Sequence, residues 1–283
     1  MFLSFYNFIF VLILPFILSR LIFKSFREPL YRTSFKERFG FFKRKDSVRD
    51  CIWIHAVSVG EAVAAYPLIN NLVNRGLDCI VTTTTPAGKE RVQQLLGNKV
   101  QTSFVPLDFK GAIRRFISSN NPKALIISET ELWPNMISEC QTKKIKIFLV
   151  NGRMSKSSAR TYQNIRFWTK SMFEALDYCG VQTLRHKNRF ISLGVKKSNI
   201  EVTGNLKFDI SLPNINSEAV DSAKRLVGQR TVLLGASTHE GEEDVLLNIF
   251  TDLRILIPNL LLILAPRHMN RIGRVNSMAL KYG

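Results

Sequence analysis

From Cys51 onward two hydrophobic patterns alternate along the chain. Short β-branched or apolar runs predict strands at CIWIHAV (51–57), CIVTTTT (79–85), TSFVPLD (102–108), ALIISET (124–130), KIFLVNG (146–152), YCGVQ (178–182) and NIEVTG (199–204). Between them lie amphipathic stretches such as Glu61–Arg75, Lys89–Gly97 and Gly111–Ser119, which predict helices. Strands that are apolar throughout, separated by helices, predict a parallel sheet covered on both faces.

That βαβαβ order places a Rossmann-like α/β domain at residues 51–205. The stretch FDISLPNINSEAVDSAKRL, with Pro213, Asn214, Asn216 and Ser217, centres a linker expected over 206–230. The rhythm then restarts with TVLLGAS, a helix from about Gly241, LLLILAP and a helix near His268. This is the start of a second Rossmann-like domain, 231–283. Two strands and two helices are too few to bury a sheet of ordinary size, so it is expected to be incomplete.

The first residues follow neither pattern. MFLSFYNFIFVLILPFILS carries no charge, and about 20 such residues suffice to cross a bilayer. Residues 1–23 are therefore expected to anchor the chain in a membrane, with Pro15 tolerated inside the helix. Arg20, Lys24, Arg27, Arg32, Lys36, Arg38, Lys43, Arg44 and Lys45 follow, opposed only by Glu28 and Glu37. With aromatic residues interleaved, 24–50 reads as an interfacial segment on anionic lipid. Positive charge after the apolar run is expected to keep the remainder of the chain in the cytoplasm.

Composition adds one constraint. The 283 residues carry 40 bases and 22 acids, a net charge of +18, which calls for an anionic partner. The bases gather beside the apolar run and no nucleic-acid motif is present, so lipid or a phosphorylated substrate is expected and nucleic acid is not. Cys51, Cys79, Cys140 and Cys179 form no Cys-x-x-Cys and read as reduced core thiols.

Polar clusters fall where the predicted strands end, which is where open α/β sheets bind ligands. They are HAVSVGE (55–61), TTTTPAGKE (82–90), ETELWPN (129–135), NGRMSKSS (151–158), GNLKFD (204–209), and STHEGEE (237–243) with APRH (265–268). Each has a plain alternative. Ser58-x-x-Glu61 is a capping box, and Ser237 with Glu240 has the same form. The threonines suit a strand, Glu129 and Glu131 can pair with bases, and Lys207 can be solvated. His239 and His268 can be surface histidines at helix starts. In the first cluster Gly60 is expected to make the tight turn that brings Glu61 to the helix mouth.

Gly-x-Gly-x-x-Gly, Walker, His-Glu-x-x-His and Asp-x-Asp motifs are absent from the sequence. The sequence thus points away from a simple dehydrogenase, NTPase or metalloprotease. It suits a metal-independent sugar transfer, without a cofactor, from a nucleotide sugar to a membrane lipid.

Taken in order, WIHAVSVGE, TTTTPAGKE, ETELWPN, NGRMSKSS, GNLKFD, STHEGEE and APRH resemble the motifs of the bacterial 3-deoxy-D-manno-octulosonic acid (Kdo) transferases. The likeness runs from about Arg38 to Arg271. It implies a GT-B fold, a CMP-Kdo donor and lipid IVA, the lipid A precursor, as acceptor in lipopolysaccharide synthesis. It makes Glu61 the catalytic base of an inverting transfer. Lys207, Ser237, Thr238, His239, Arg267 and His268 become donor-side candidates. Ser58, Gly60, Thr84, Glu129, Glu131 and Arg153 become acceptor-side candidates. Gly152, Met154 and Met269 depart from the residues the family more often carries. Members of the family continue through a Gly-rich loop and a Gly-Gly-x-x-x-Asn-x-x-Glu-like region. The chain is accordingly expected to be C-terminally truncated. The leading expectation is Kdo transfer by this chain; the alternative is a truncated non-catalytic remnant, or half of a split enzyme completed by a separate chain, that binds lipid A precursor or membrane.

Overall fold

The computed structural model describes residues 2–27, 31, 34–42, 50–209 and 217–282. Bases Arg32, Lys43, Arg44 and Lys45 of the expected interfacial segment, and Pro213, Asn214 and Asn216 of the expected linker, lie outside these. The chain divides into two compact units, Met1–Ser211 and Leu212–Gly283.

The first unit opens with helix α1 (Phe2–Arg27), which contains Pro15. It continues as β1 (Cys51–His55), α2 (Val59–Asn74), β2 (Cys79–Thr83), α3 (Pro86–Leu96), β3 (Gln101–Phe104), α4 (Lys110–Asn120), β4 (Pro122–Ser128), α5 (Pro134–Thr142), β5 (Lys146–Gly152), α6 (Lys156–Asn164), α7 (Arg166–Glu174), β6 (Tyr178–Val181), α8 (Leu184–Leu193) and β7 (Ile200–Val202). The seven strands form one sheet in the order β3-β2-β1-β4-β5-β6-β7, and every pairing is parallel. All seven predicted strands are present, and the order reverses between β1 and β4.

Alternation along β1 divides the core. Trp53 meets the Phe116 ring and belongs to the larger core cluster, with Leu125, Met136 and Phe173. Ile54 belongs to a second cluster, with Ala62, Ile69, Val81 and Val92. All four cysteine thiols are buried. Gly40 joins the segment before β1 to α4. It holds φ +80, and a Cβ there would lie 2.2 Å from the Ala112 carbonyl oxygen, so only glycine fits.

The second unit contains α9 (Ser217–Val227), β8 (Thr231–Thr238), α10 (Glu242–Leu256), β9 (Leu260–Pro266) and α11 (Ile272–Ala279). Part of the stretch expected as linker is thus helical: Ser217–Val227 has the apolar spacing of a helix, which the turn-forming residues ahead of it masked. Strands β8 and β9 pair in parallel. Among the described residues of this unit, Leu247, Leu260 and Val275 are the buried apolar side chains, while Leu234 and Ile255 are exposed.

Candidate active site

The switch of strand order between β1 and β4 opens a crevice beyond their carboxyl ends, the usual ligand position in open α/β sheets. Glu61 follows β1, in the first turn of α2, and Glu129 and Glu131 follow β4.

Glu61 stands in the capped first turn of α2, close enough to Glu129 and Glu131 for their charges to act on it. Ser58 is the N-cap of α2, with extended backbone, and its Oγ accepts the Glu61 N–H at 3.2 Å. The Glu61 carboxylate does not return to the Ser58 N–H, as a standard capping box requires. It accepts instead from the Val57 N–H (3.0 Å) and the Ser58 hydroxyl (3.0 Å). The side chain is only 7% exposed. Its pKa rises to about 7 from 4.5, chiefly through burial and in smaller part through the negative charges of Glu129 and Glu131. The two hydrogen bonds pull the other way without cancelling the shift. A carboxylate held at such a pKa can take a proton near neutral pH.

Gly60 does not make the turn. It lies in the first turn of α2, its φ is outside the left-handed region, and an added Cβ would meet only Ser58 Oγ at 3.9 Å. The chain turns at extended Ser58 instead. Thr84, expected as a ligand contact, donates its hydroxyl to the Val57 carbonyl at 2.7 Å. It thereby fixes the loop that also gives Glu61 its backbone donor.

Glu129, directly after β4, holds φ +59, a conformation that costs a non-glycine residue about 1–3 kcal/mol. Its N–H still bonds the Val150 carbonyl at 2.9 Å, and its Oε2 accepts from Arg153 Nε at 2.8 Å. Glu131 accepts from the Trp133 indole at 3.2 Å. The Trp133 ring meets the edge of buried His55 at 5.0 Å, and burial holds the His55 pKa down to about 3.

Beyond β4 to β6 lies a cleft of about 540 Å³ lined by Glu129, Glu131, Arg153, Ser158, Tyr162 and His186, among others. Tyr162, Gln182 and His186 were absent from the expected set. His186 Nδ1 lies 3.1 Å from both the N–H and the carbonyl oxygen of Met154. Gln182 binds Asn151 Oδ1 at 3.0 Å. Nothing in their local sequence marks these residues, since they come from α6, the end of β6 and α8. Lys207 is exposed on the turn Leu206–Asp209, which is held by Leu206 N–H to Asn151 Oδ1 at 3.2 Å.

The second unit gathers Ser237, Thr238, His239, Arg267 and His268 at the ends of β8 and β9. Ser237 has φ +59 and is exposed. The Arg267 N–H bonds the Thr238 carbonyl at 3.0 Å, and the rings of His239 and His268 stand 6.2 Å apart. Thr238 is buried, with its hydroxyl donated to Glu243 at 2.8 Å. Glu243 in turn accepts both Nη atoms of Arg271, at 2.8 and 3.0 Å. The Ser237–Glu240 pair forms no capping box, because α10 starts later, at N-cap Gly241. Among the described residues no group of three or more His, Cys, Asp or Glu side chains converges as a metal-binding set.

The profile of a family described as 3-deoxy-D-manno-octulosonic-acid transferase (kdotransferase) matches residues 33–210. The chain belongs to this Kdo transferase family. A Kdo transferase of Haemophilus influenzae is 35% identical over 281 residues, 98% of this chain and 66% of that protein. One from Bordetella pertussis is 33% identical over 78% of this chain and 53% of its own length. The chain thus spans roughly half to two thirds of these Kdo transferases. A UDP-GlcNAc 2-epimerase from Neisseria meningitidis, solved with UDP-GlcNAc bound, aligns with TM-score 0.56 at 15% identity. It covers 83% of this chain and 69% of its own. That likeness shows the fold, which is of the GT-B type.

Proposed function

We propose that this protein serves lipopolysaccharide synthesis by transferring Kdo from CMP-Kdo to lipid IVA at the inner membrane, with inversion and with Glu61 as base. The observation that carries the mechanism is the Glu61 carboxylate. It is buried in the first turn after β1, oriented by the Val57 N–H and the Ser58 hydroxyl, and raised to about pKa 7. In the transfer, an acceptor hydroxyl attacks the anomeric carbon of Kdo. The bond from that carbon to the CMP phosphate oxygen breaks, CMP leaves with its electron pair, and the acceptor proton passes to Glu61. Arg153 and the polar cleft around it are the proposed acceptor contacts. Ser237, His239, Arg267, His268 and Lys207 are the proposed donor contacts, neutralising the charge on the departing phosphate.

The test is a transfer assay on the purified chain in detergent, with lipid IVA and freshly made CMP-Kdo, reading lipid masses. A gain in Kdo units that disappears in a folded Glu61→Ala variant supports the mechanism. Unchanged turnover in that variant overturns it. Bound lipid IVA without any gain favours the second reading, an acceptor-binding part completed by another chain.

A further inference from the structure

Helix α1 has the length and hydropathy of a membrane span over Leu3–Phe26. Its contacts point elsewhere. The Tyr6 hydroxyl donates to Asp108 Oδ2 at 2.9 Å, and Asn135 Nδ2 donates to Asn7 Oδ1 at 2.8 Å. Phe5 meets Trp168 at 5.8 Å between ring centroids, and Phe10 meets Phe109 at 6.5 Å. Near the other end, the Lys24 ammonium sits 5.5 Å over the Tyr31 ring, which stacks on Phe104 of β3. The shielded positions, Leu3, Tyr6, Asn7, Phe10, Leu14, Ile17, Leu18, Leu21 and Ser25, recur at helical spacing along one stripe.

Tyr6 and Lys24 are about 27 Å apart at 1.5 Å per residue, close to the ~30 Å hydrocarbon thickness. Both ends touch the same polar domain. Were α1 to cross a bilayer upright, buried Asp108 and Asn135 would have to lie near its far face. A helix lying flat has no such conflict.

The opposite face of α1 is apolar and exposed: Phe8, Leu12, Phe16 (70%), Phe23 (71%) and Phe26 (81%). Beside its N-terminal half, α7 exposes Phe167 (86%) and Trp168. Exposed Arg166 and Lys170 flank that pair, and Arg20 and Lys24 extend the positive rim along α1. Aromatic and aliphatic side chains bordered by cations suit the boundary between acyl chains and anionic headgroups.

We infer that α1 lies in the plane of an anionic leaflet, clamped to the domain by Tyr6–Asp108 and Asn7–Asn135, and that Phe167 and Trp168 of α7 form a second insertion point. The partner is the lipid surface itself. The inference is independent of the sugar chemistry and survives if the transfer reaction proves different.

Two measurements test it. A short hydrophilic epitope with a protease site is placed ahead of Met1 of the full chain, in sealed vesicles with the domain outward. The in-plane helix leaves the epitope on the domain side, so added protease removes it. An epitope protected until detergent is added overturns the in-plane arrangement. Second, the Phe167→Ser, Trp168→Ser double variant is floated with phosphatidylglycerol-containing vesicles. The expected loss of partitioning is on the order of tenfold, with an unchanged circular dichroism spectrum. Partitioning equal to the parent protein removes α7 from the inference. Phe167→Ser alone repeats the test at the more exposed position if the double variant folds poorly. Equal partitioning into phosphatidylcholine alone removes the anionic preference.

Discussion

Two buried glutamates stand in the first turn of a helix that follows a strand, one in each unit, and their electrostatics are opposite. Burial raises the Glu61 pKa to about 7, helped by its acidic neighbours Glu129 and Glu131, while a hydroxyl and one backbone N–H only partly offset the rise. Glu243 is gripped by both nitrogens of the Arg271 fork and by Thr238, and this pairing lowers its pKa to about 2. A helix N-terminus favours negative charge at both places, so the helix dipole does not set the difference. The presence of a bidentate cation does. Glu61 is poised to exchange a proton, whereas Glu243 is locked as an anion that ties the β8 and β9 loops together.

The largest effect expected from breaking this contrast is chemical. Glu61→Gln should lower transfer by roughly 10²–10⁴-fold, the usual scale for one general base. Its circular dichroism spectrum should match the parent's. A next, smaller effect lies in pH dependence. Transfer by the parent chain should rise with pH through about 7, as Glu61 ionises. A flat rate from pH 6 to 8 would contradict the assignment.

Stability separates the two residues by sign. The folded state binds an extra proton at Glu61 between about pH 4.5 and 7, so stability falls as pH rises across that window. In the difference between parent and Glu61→Gln melting temperatures, this fall should be visible and should level off above 7. At Glu243 the folded pKa is depressed. Its contribution is present above about 4.5 and is lost as pH falls toward 2. Arg271→Met should therefore lower the melting temperature of the second unit at pH 7 by several degrees, with the deficit shrinking in acid. A deficit that stays constant with pH would sink that reading.

The smallest effect concerns the clamp of α1. Helix α5 has no side-chain cap of its own; Asp108 caps it by accepting the Asn135 and Met136 N–H groups at 3.1 and 2.8 Å. Tyr6→Phe leaves that cap intact and removes one hydrogen bond, a loss of about 1 kcal/mol. Hydrogen exchange in α1 should quicken while α5 is unaffected. Equal protection of α1 in both proteins would show that Tyr6 does not hold the helix.

Much of the fold could be read in advance because period-2 and helical apolar patterns are local. CIWIHAV is apolar on both faces, and its burial against Phe116 on one side and Ile69 on the other follows from that. The helix at Ser217–Val227 was less legible, because Pro213 and two asparagines directly ahead of it read as linker. At the site, Glu61 was marked by its spacing from Ser58. Tyr162, Gln182 and His186 had no mark, since each lies on a different element and meets the others only around the cleft. Gly60 was misread because its place beside a turn looked sufficient, whereas extended Ser58 turns the chain.

By itself the sequence determined the parallel α/β class, the restart of the βα rhythm, the apolar helix with its cationic flank, and the motifs that mark the family. These depend on residue order over a few turns or strands. Only the tertiary structure decided that Glu61 rises to about 7 while Glu243 falls to about 2, and that α1 rests along its own domain. The reason is physical: desolvation and charge pairing depend on what lies within a few ångströms. Arg271 is 28 residues from Glu243, and Asp108 is 102 from Tyr6.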